Sequence, residues 1–164
     1  MPAAQTPLSP GARRESTPPP PSAERCESGV PSSVVRLAAA AGVGALLVVD
    51  DDVHVRRVAR RVLAHAGFTV IDVASGEEAV ATAAVHGASL AGAVVDVTMP
   101  GIDGPTCVAT LRRMLPGLPV LFCSGYTADG VLAQPDDRAT GFLAKPYHQR
   151  ELVERVAALL ALGP

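Results

Sequence analysis

From residue 45 onward, short aliphatic runs alternate with stretches in which apolar residues recur at helical spacing. The runs at 45–49, 69–73, 92–97, 120–124 and 141–144 predict strands. Apolar residues follow one another in them with little polar alternation, the pattern of strands covered on both faces in a parallel sheet. Between the first two, Val55, Val58, Ala59, Val62, Leu63 and Ala66 fall three or four positions apart and draw one apolar stripe along a helix. Gly67 supplies its stop. "SGEE" at 75–78 carries the signature of a capping box and opens a second helix. Asp103 caps a third, with Pro105 in its first turn and Val108, Leu111 and Leu115 facing inward. A last helix over 148–162 buries Leu152, Val156, Leu159 and Leu160, and Glu151 and Arg155 are spaced for an i,i+4 pair. In the remaining gap, "YTADGVLAQPDDR" at 126–138 is interrupted by Gly130 and Pro135, so a single short helix or an irregular segment is expected there.

Strands alternating with helices predict a right-handed, doubly wound α/β sandwich with a five-stranded parallel sheet. The N-terminal quarter does not continue the pattern. Eight of the fifteen prolines fall within residues 1–31, and no aromatic residue does. Such a stretch cannot bury enough apolar surface to offset its ordering entropy. Residues 1–43 are therefore expected to be a disordered, Pro-rich tail or linker, and residues 44–163 the folded domain.

Composition narrows the class. Hydrophobic residues make up 48% of the chain and aromatics only 3%, so the core is built from Val, Ala and Leu. A formal net charge of -2, without Lys/Arg clusters interleaved with aromatics, argues against nucleic acid and against an anionic membrane surface. The longest apolar run, residues 37–49, has 13 residues, whereas a membrane span takes about 20. Cys26, Cys107 and Cys123 match no zinc spacing and suggest a reducing compartment. A cytoplasmic location follows as the expectation.

In doubly wound sheets, functional groups gather at the carboxyl ends of the strands. There the sequence sets Asp50 and Asp51 after the first strand, Asp96 at the end of the third, Ser124 at the end of the fourth and Lys145 after the fifth. Taken alone, Asp50–Asp52 would read as a solvated turn and helix cap, and Lys145 as a surface lysine. Taken together, clustered carboxylates repel one another unless a cation relieves them. A hard, oxygen-seeking cation would suit that role.

The segments "VVDDD", "DVTMPGIDG", "CSG" and "AKPY", in this order, make residues 45–162 resemble the receiver domain of two-component response regulators. The resemblance implies a flavodoxin-like strand order 2-1-3-4-5. It implies Asp96 as phosphoacceptor, Asp50 and Asp51 as the acidic pair that holds Mg²⁺, and the backbone carbonyl of Thr98 as a further metal ligand. It assigns Ser124 and Lys145 to the phosphoryl group, Phe142 to the aromatic switch position, and a cis peptide to Lys145–Pro146. The implied partners are a histidine kinase or phosphotransfer protein and a downstream protein. The implied role is a signalling receiver that catalyses only its own phosphoryl transfer and loss. "FCSGYTADG…GFLAKPY" is similar to receivers at the ends of hybrid kinases, so onward passage of phosphate is an alternative. In the family the first helix helps to dock the phosphohistidine partner. For Arg56, Arg57, Arg60 and Arg61, that role stands beside a simple solvated face. Gly130 and Pro135 depart from the family pattern in the fourth helix, a surface that many members use to dimerise. An aspartyl-phosphate hydrolase is less well matched, since the Gly-Thr/Val that should follow its "DxD" is missing after Asp50. A serine hydrolase is matched less well still, because Phe122 stands where an elbow at Ser124 needs glycine.

Overall fold

The computed structural model describes residues 44–125 and 139–161. The expected tail 1–43 and the doubtful segment 126–138 lie outside the described residues. Five strands, β1 (Ala45–Val49), β2 (Val70–Val73), β3 (Leu90–Asp96), β4 (Val120–Ser124) and β5 (Thr140–Ala144), form one sheet in the order β2-β1-β3-β4-β5. Every pairing is parallel. Helices α1 (Val53–His65), α2 (Gly76–His86), α3 (Gly104–Met114) and α4 (Gln149–Ala161) cover it. The flavodoxin-like order expected from the resemblance is the one found.

Strand alternation divides the core into two layers. Leu46 and Val48 of β1 join Val94, Leu121 and Leu143 against α1 and α4, where Leu63, Leu152 and Val156 pack. Leu47 and Val49 turn the other way and meet Val95, Phe122, Ala79 and Leu111 on the α2 and α3 side. Leu47, Leu63, Val95 and Leu111 are fully buried. Each such side chain contributes about 1.5–3 kcal/mol by leaving water, which is where the fold draws its stability.

Helix starts follow the sequence closely. Asp52 caps α1, accepting from the amides of His54 at 2.7 Å and Val55 at 3.3 Å. Ser75 caps α2 by accepting from the Glu78 amide, and Glu78 reaches back to the Ala74 amide at 2.8 Å. The reciprocal half of that capping box thus lands one residue earlier than the usual pattern. Asp103 caps α3 through the Thr106 amide at 2.8 Å.

Three expectations need correction. Val58 is 49% exposed, because the α1 stripe that meets the sheet narrows to Ala59, Val62, Leu63 and Ala66. β3 begins at Leu90, two residues early, since Ala45 of β1 pairs with it across a register shift. On α4 the i,i+4 ion pair joins Arg150 to Glu154 at 2.7 Å, not Glu151 to Arg155. Among the described residues, no helix is long and apolar enough to cross a membrane.

Candidate functional site

The alternation that builds the core also aims the charges. Asp50 stands two residues beyond Val48, Asp96 two beyond Val94, and Lys145 two beyond Leu143. Val48, Val94 and Leu143 all face α1 and α4, so the three polar residues extend the same face at the carboxyl end of the sheet. Because the strands run parallel in register, with Val48 opposite Val94 and Cys123 opposite both Asp96 and Leu143, their ends arrive at one place.

There the Lys145 ammonium sits 2.8 Å from Asp50 Oδ2 and 3.2 Å from Asp96 Oδ1. Asp50 is 5% exposed and Asp96 9%, and they are the buried charged residues among those described. Asp51 is exposed, yet one carboxylate oxygen from each of Asp50, Asp51 and Asp96 lies within 4.8 Å of the others. An all-oxygen, carboxylate-rich group of this size suits a hard divalent cation and could hold one.

Burial raises the pKa of Asp96, although the charge of Lys145 and hydrogen bonds from Lys145 and the Thr98 amide work against it. For Lys145, burial pulls its pKa down, but the hydrogen bond to Asp50 and the charges of Asp50 and Asp96 outweigh it, and the net shift is upward. The ammonium is therefore firmly charged. Burial pushes the Cys123 thiol up to about 12 and that of Cys107 up to about 11, so both are inert apolar fillers at neutral pH.

The remaining expected residues are placed as follows. Thr98 is exposed and turns its amide to Asp96. Ser124 ends β4, half-buried, and its carbonyl accepts from the Lys145 amide at 2.7 Å. The Lys145–Pro146 peptide is cis. Phe142 lies outside the charged cluster. It stacks on Phe122 with ring centroids 5.6 Å apart and packs against the α2/α3 layer. Ser124 shares the parity of Phe122 and Phe142 along the pleat, two residues on from the Phe122–Phe142 register pair.

Two contributors escaped sequence reasoning. A Cβ on Gly104 would collide with the carbonyl oxygen of Asp96, so only glycine lets the start of α3 press against that residue's main chain. Arg56 belongs to no solvated face: its side chain is 14% exposed, donates to the Asp50 carbonyl at 2.6 Å and lies 3.6 Å from Asp72. An arginine four residues into a helix and an aspartate midway along β2 were the available signals.

Residues 46–157 match the response regulator receiver domain family. The chain belongs to that family. The receiver is 37% identical over 120 residues to the sensor kinase CckA of Brucella abortus, a match covering 73% of this chain and 13% of the kinase. It is 40% identical over 121 residues to the transcriptional regulatory protein TcrA of Mycobacterium tuberculosis, covering 73% and 47%. The receiver thus spans less than half the length of these curated relatives. Among solved structures, the receiver domain from the hybrid histidine kinase CckA superimposes with a TM-score of 0.62 at 38% identity, over 71% of this chain and 99% of that one.

Proposed function

We propose that this receiver accepts a phosphoryl group on Asp96 from a histidine kinase or phosphotransfer protein, and signals to a protein partner by a change of conformation. The observation that carries this reading is the meeting of Asp50, Asp51 and Asp96 oxygens within 4.8 Å, with the Lys145 ammonium on two of the three carboxylates. Asp50, Asp51 and Asp96, with the Thr98 carbonyl, would hold Mg²⁺. When bound, Mg²⁺ supplies positive charge to the phosphoryl oxygens and relieves repulsion among the carboxylates.

The chain's own residues do the rest. Asp96 attacks phosphorus through a carboxylate oxygen, forming an acyl phosphate as the bond from phosphorus to the donor nitrogen breaks. Lys145, already charged and paired with Asp50 and Asp96, pairs with the phosphoryl oxygens as negative charge gathers on them. Ser124 offers a hydroxyl donor. Among the described residues, an added Cβ on its neighbour Gly125 would meet nothing within 4 Å. Drawn toward the phosphoryl group, Ser124 would vacate room on the face it shares with Phe142, and Phe142 would leave its stack on Phe122 to fill it.

Incubation with Mg²⁺ and acetyl phosphate, followed by intact mass, tests the reading. The parent should gain one phosphoryl and Asp96→Asn none; equal gain on both would remove Asp96 from its role. The likeness to the CckA receiver supports one extension, onward transfer of the phosphate to a phosphotransfer domain, which loss of label on mixing with such a domain would reveal.

A further inference from the structure

We propose that Arg56 is a positioning residue for the acidic loop, fixing the main chain of Asp50 and Asp51 so that their carboxylates face Asp96. The proposal rests on the reading of that acidic group as a Mg²⁺ site. Only Asp50, Asp51 and Asp52 separate β1 from α1. The Asp52 carbonyl accepts the first helical bond, from the Arg56 amide at 2.9 Å. The two carbonyls before it fall outside that ladder, and an unpaired carbonyl in a half-buried turn leaves the chain free to rotate. Arg56 Nη1 takes the Asp50 carbonyl at 2.6 Å and reaches the Asp51 carbonyl at 3.5 Å, the outer limit of a hydrogen bond.

The guanidinium is itself anchored. Its Nε lies 3.6 Å from Asp72 Oδ2 on β2, and Arg60 Nη1 holds the other Asp72 oxygen at 2.7 Å. Asp72 stands opposite Val48 in the sheet. The edge strand, the first helix and the acidic loop are thereby tied by one rigid, planar fork, a task that a lysine's single ammonium cannot reproduce. The Asp52 amide donates to Asp50 Oδ1 at 2.9 Å, so a turn of the main chain here also turns the Asp50 carboxylate.

The position separates two effects of opposite sign. As a bare positive charge, Arg56 would repel a divalent cation, and its loss would tighten binding. As a geometric clamp it prearranges ligands, and its loss would loosen binding. Mg²⁺ titration of the full chain by calorimetry, and by amide shifts of residues 50–52, decides between them. Arg56→Met should weaken Mg²⁺ about tenfold, the lower end of what outer-sphere partners contribute. Arg56→Lys, which keeps the charge, should recover only part of that loss. Asp72→Asn, which frees the fork without removing it, should weaken binding about threefold. Without metal, exchange of the Asp52 amide should quicken in the same order. Binding by Arg56→Met as tight as in the parent, or tighter, would overturn the clamp. If Arg56→Met does not fold, parent-like binding and exchange in both Arg56→Lys and Asp72→Asn would overturn it equally. If the parent itself binds no Mg²⁺, the metal reading fails, and the metal-free exchange of Asp52 still decides the role of Arg56.

Discussion

The two ends of the same strands carry opposite chemistry. At the carboxyl end, Asp50, Asp96 and Lys145 bring buried charge together. At the amino end, Gly44, Leu90, Met114, Leu118, Pro119 and Leu160 line an apolar groove of about 510 Å³. Between them the middles of β1 and β3 are aliphatic and packed on both faces. The contrast shows a division of labour: the middle supplies stability, and one end spends part of it to hold carboxylates that would rather be in water. Close main-chain approach marks both ends. A Cβ on Gly44 would strike the Ser89 carbonyl, and one on Gly104 the Asp96 carbonyl. Only the second contact touches the chemistry.

Substitutions graded from the middle outward would break or sharpen that contrast. The largest loss should come from the middle. Leu111→Ala, at a fully buried position, should cost about 3 kcal/mol in denaturant unfolding, while the folded fraction still takes up phosphoryl from acetyl phosphate. Next, Lys145→Ala leaves Asp50 and Asp96 facing each other without their cation. It should cost about 2 kcal/mol, less than for a fully buried pair because Lys145 keeps 23% exposure. Since folding raises the pKa of Lys145, its contribution is whole below the ordinary lysine value and fades as pH rises through the folded one. The gap between parent and variant should therefore close only in strong alkali. Gly104→Ala should cost a similar amount, about 1–3 kcal/mol, and should also slow phosphorylation, which a purely steric defect at the amino end would not do.

Asp96→Asn should go the other way. Folding raises the pKa of Asp96, chiefly through burial, so what the side chain contributes is fully present below the ordinary aspartate value and lost as pH rises through the folded one. At neutral pH the ionised group is a net cost. The variant should then be more stable than the parent, by on the order of 1 kcal/mol. The difference should vanish in acid, and Mg²⁺ should reverse the ranking by stabilising the parent alone. A variant less stable than the parent at neutral pH without metal would contradict the view that this end strains the fold. The smallest effect belongs to the amino end: Met114→Gln, at a 40% exposed position, should stay within about 0.5 kcal/mol and leave phosphorylation unchanged.

Much of this was legible in the sequence, for a physical reason. The apolar runs of β1 and β4 stop where a charged or hydroxyl residue stands, so their boundaries and the parity of Asp50 and Ser124 follow directly. Capping is equally local, and Asp52, Ser75 and Asp103 all act where their side chains predict. What escaped depends on partners far along the chain. Four arginines on α1 look alike in sequence, yet Asp72 on β2 pairs with Arg56 and Arg60 and only Arg56 is covered, while Arg57, Arg60 and Arg61 stay exposed. Val58 matches the helical spacing but lies beyond the strip that the sheet can cover. Gly104 reads as a turn residue until β3 is set beneath it. Phe142 was assigned by resemblance, and nothing local revealed that Phe122, paired in register on the neighbouring strand, would be its stacking partner.

Lys145 is the one lysine in the sequence. Growth on lysine isotopically labelled at Nζ would therefore place a single spectroscopic beacon between Asp50 and Asp96, with no side-chain amine elsewhere to obscure it. Whatever binds to or leaves that pair of carboxylates would be read as the movement of one resonance.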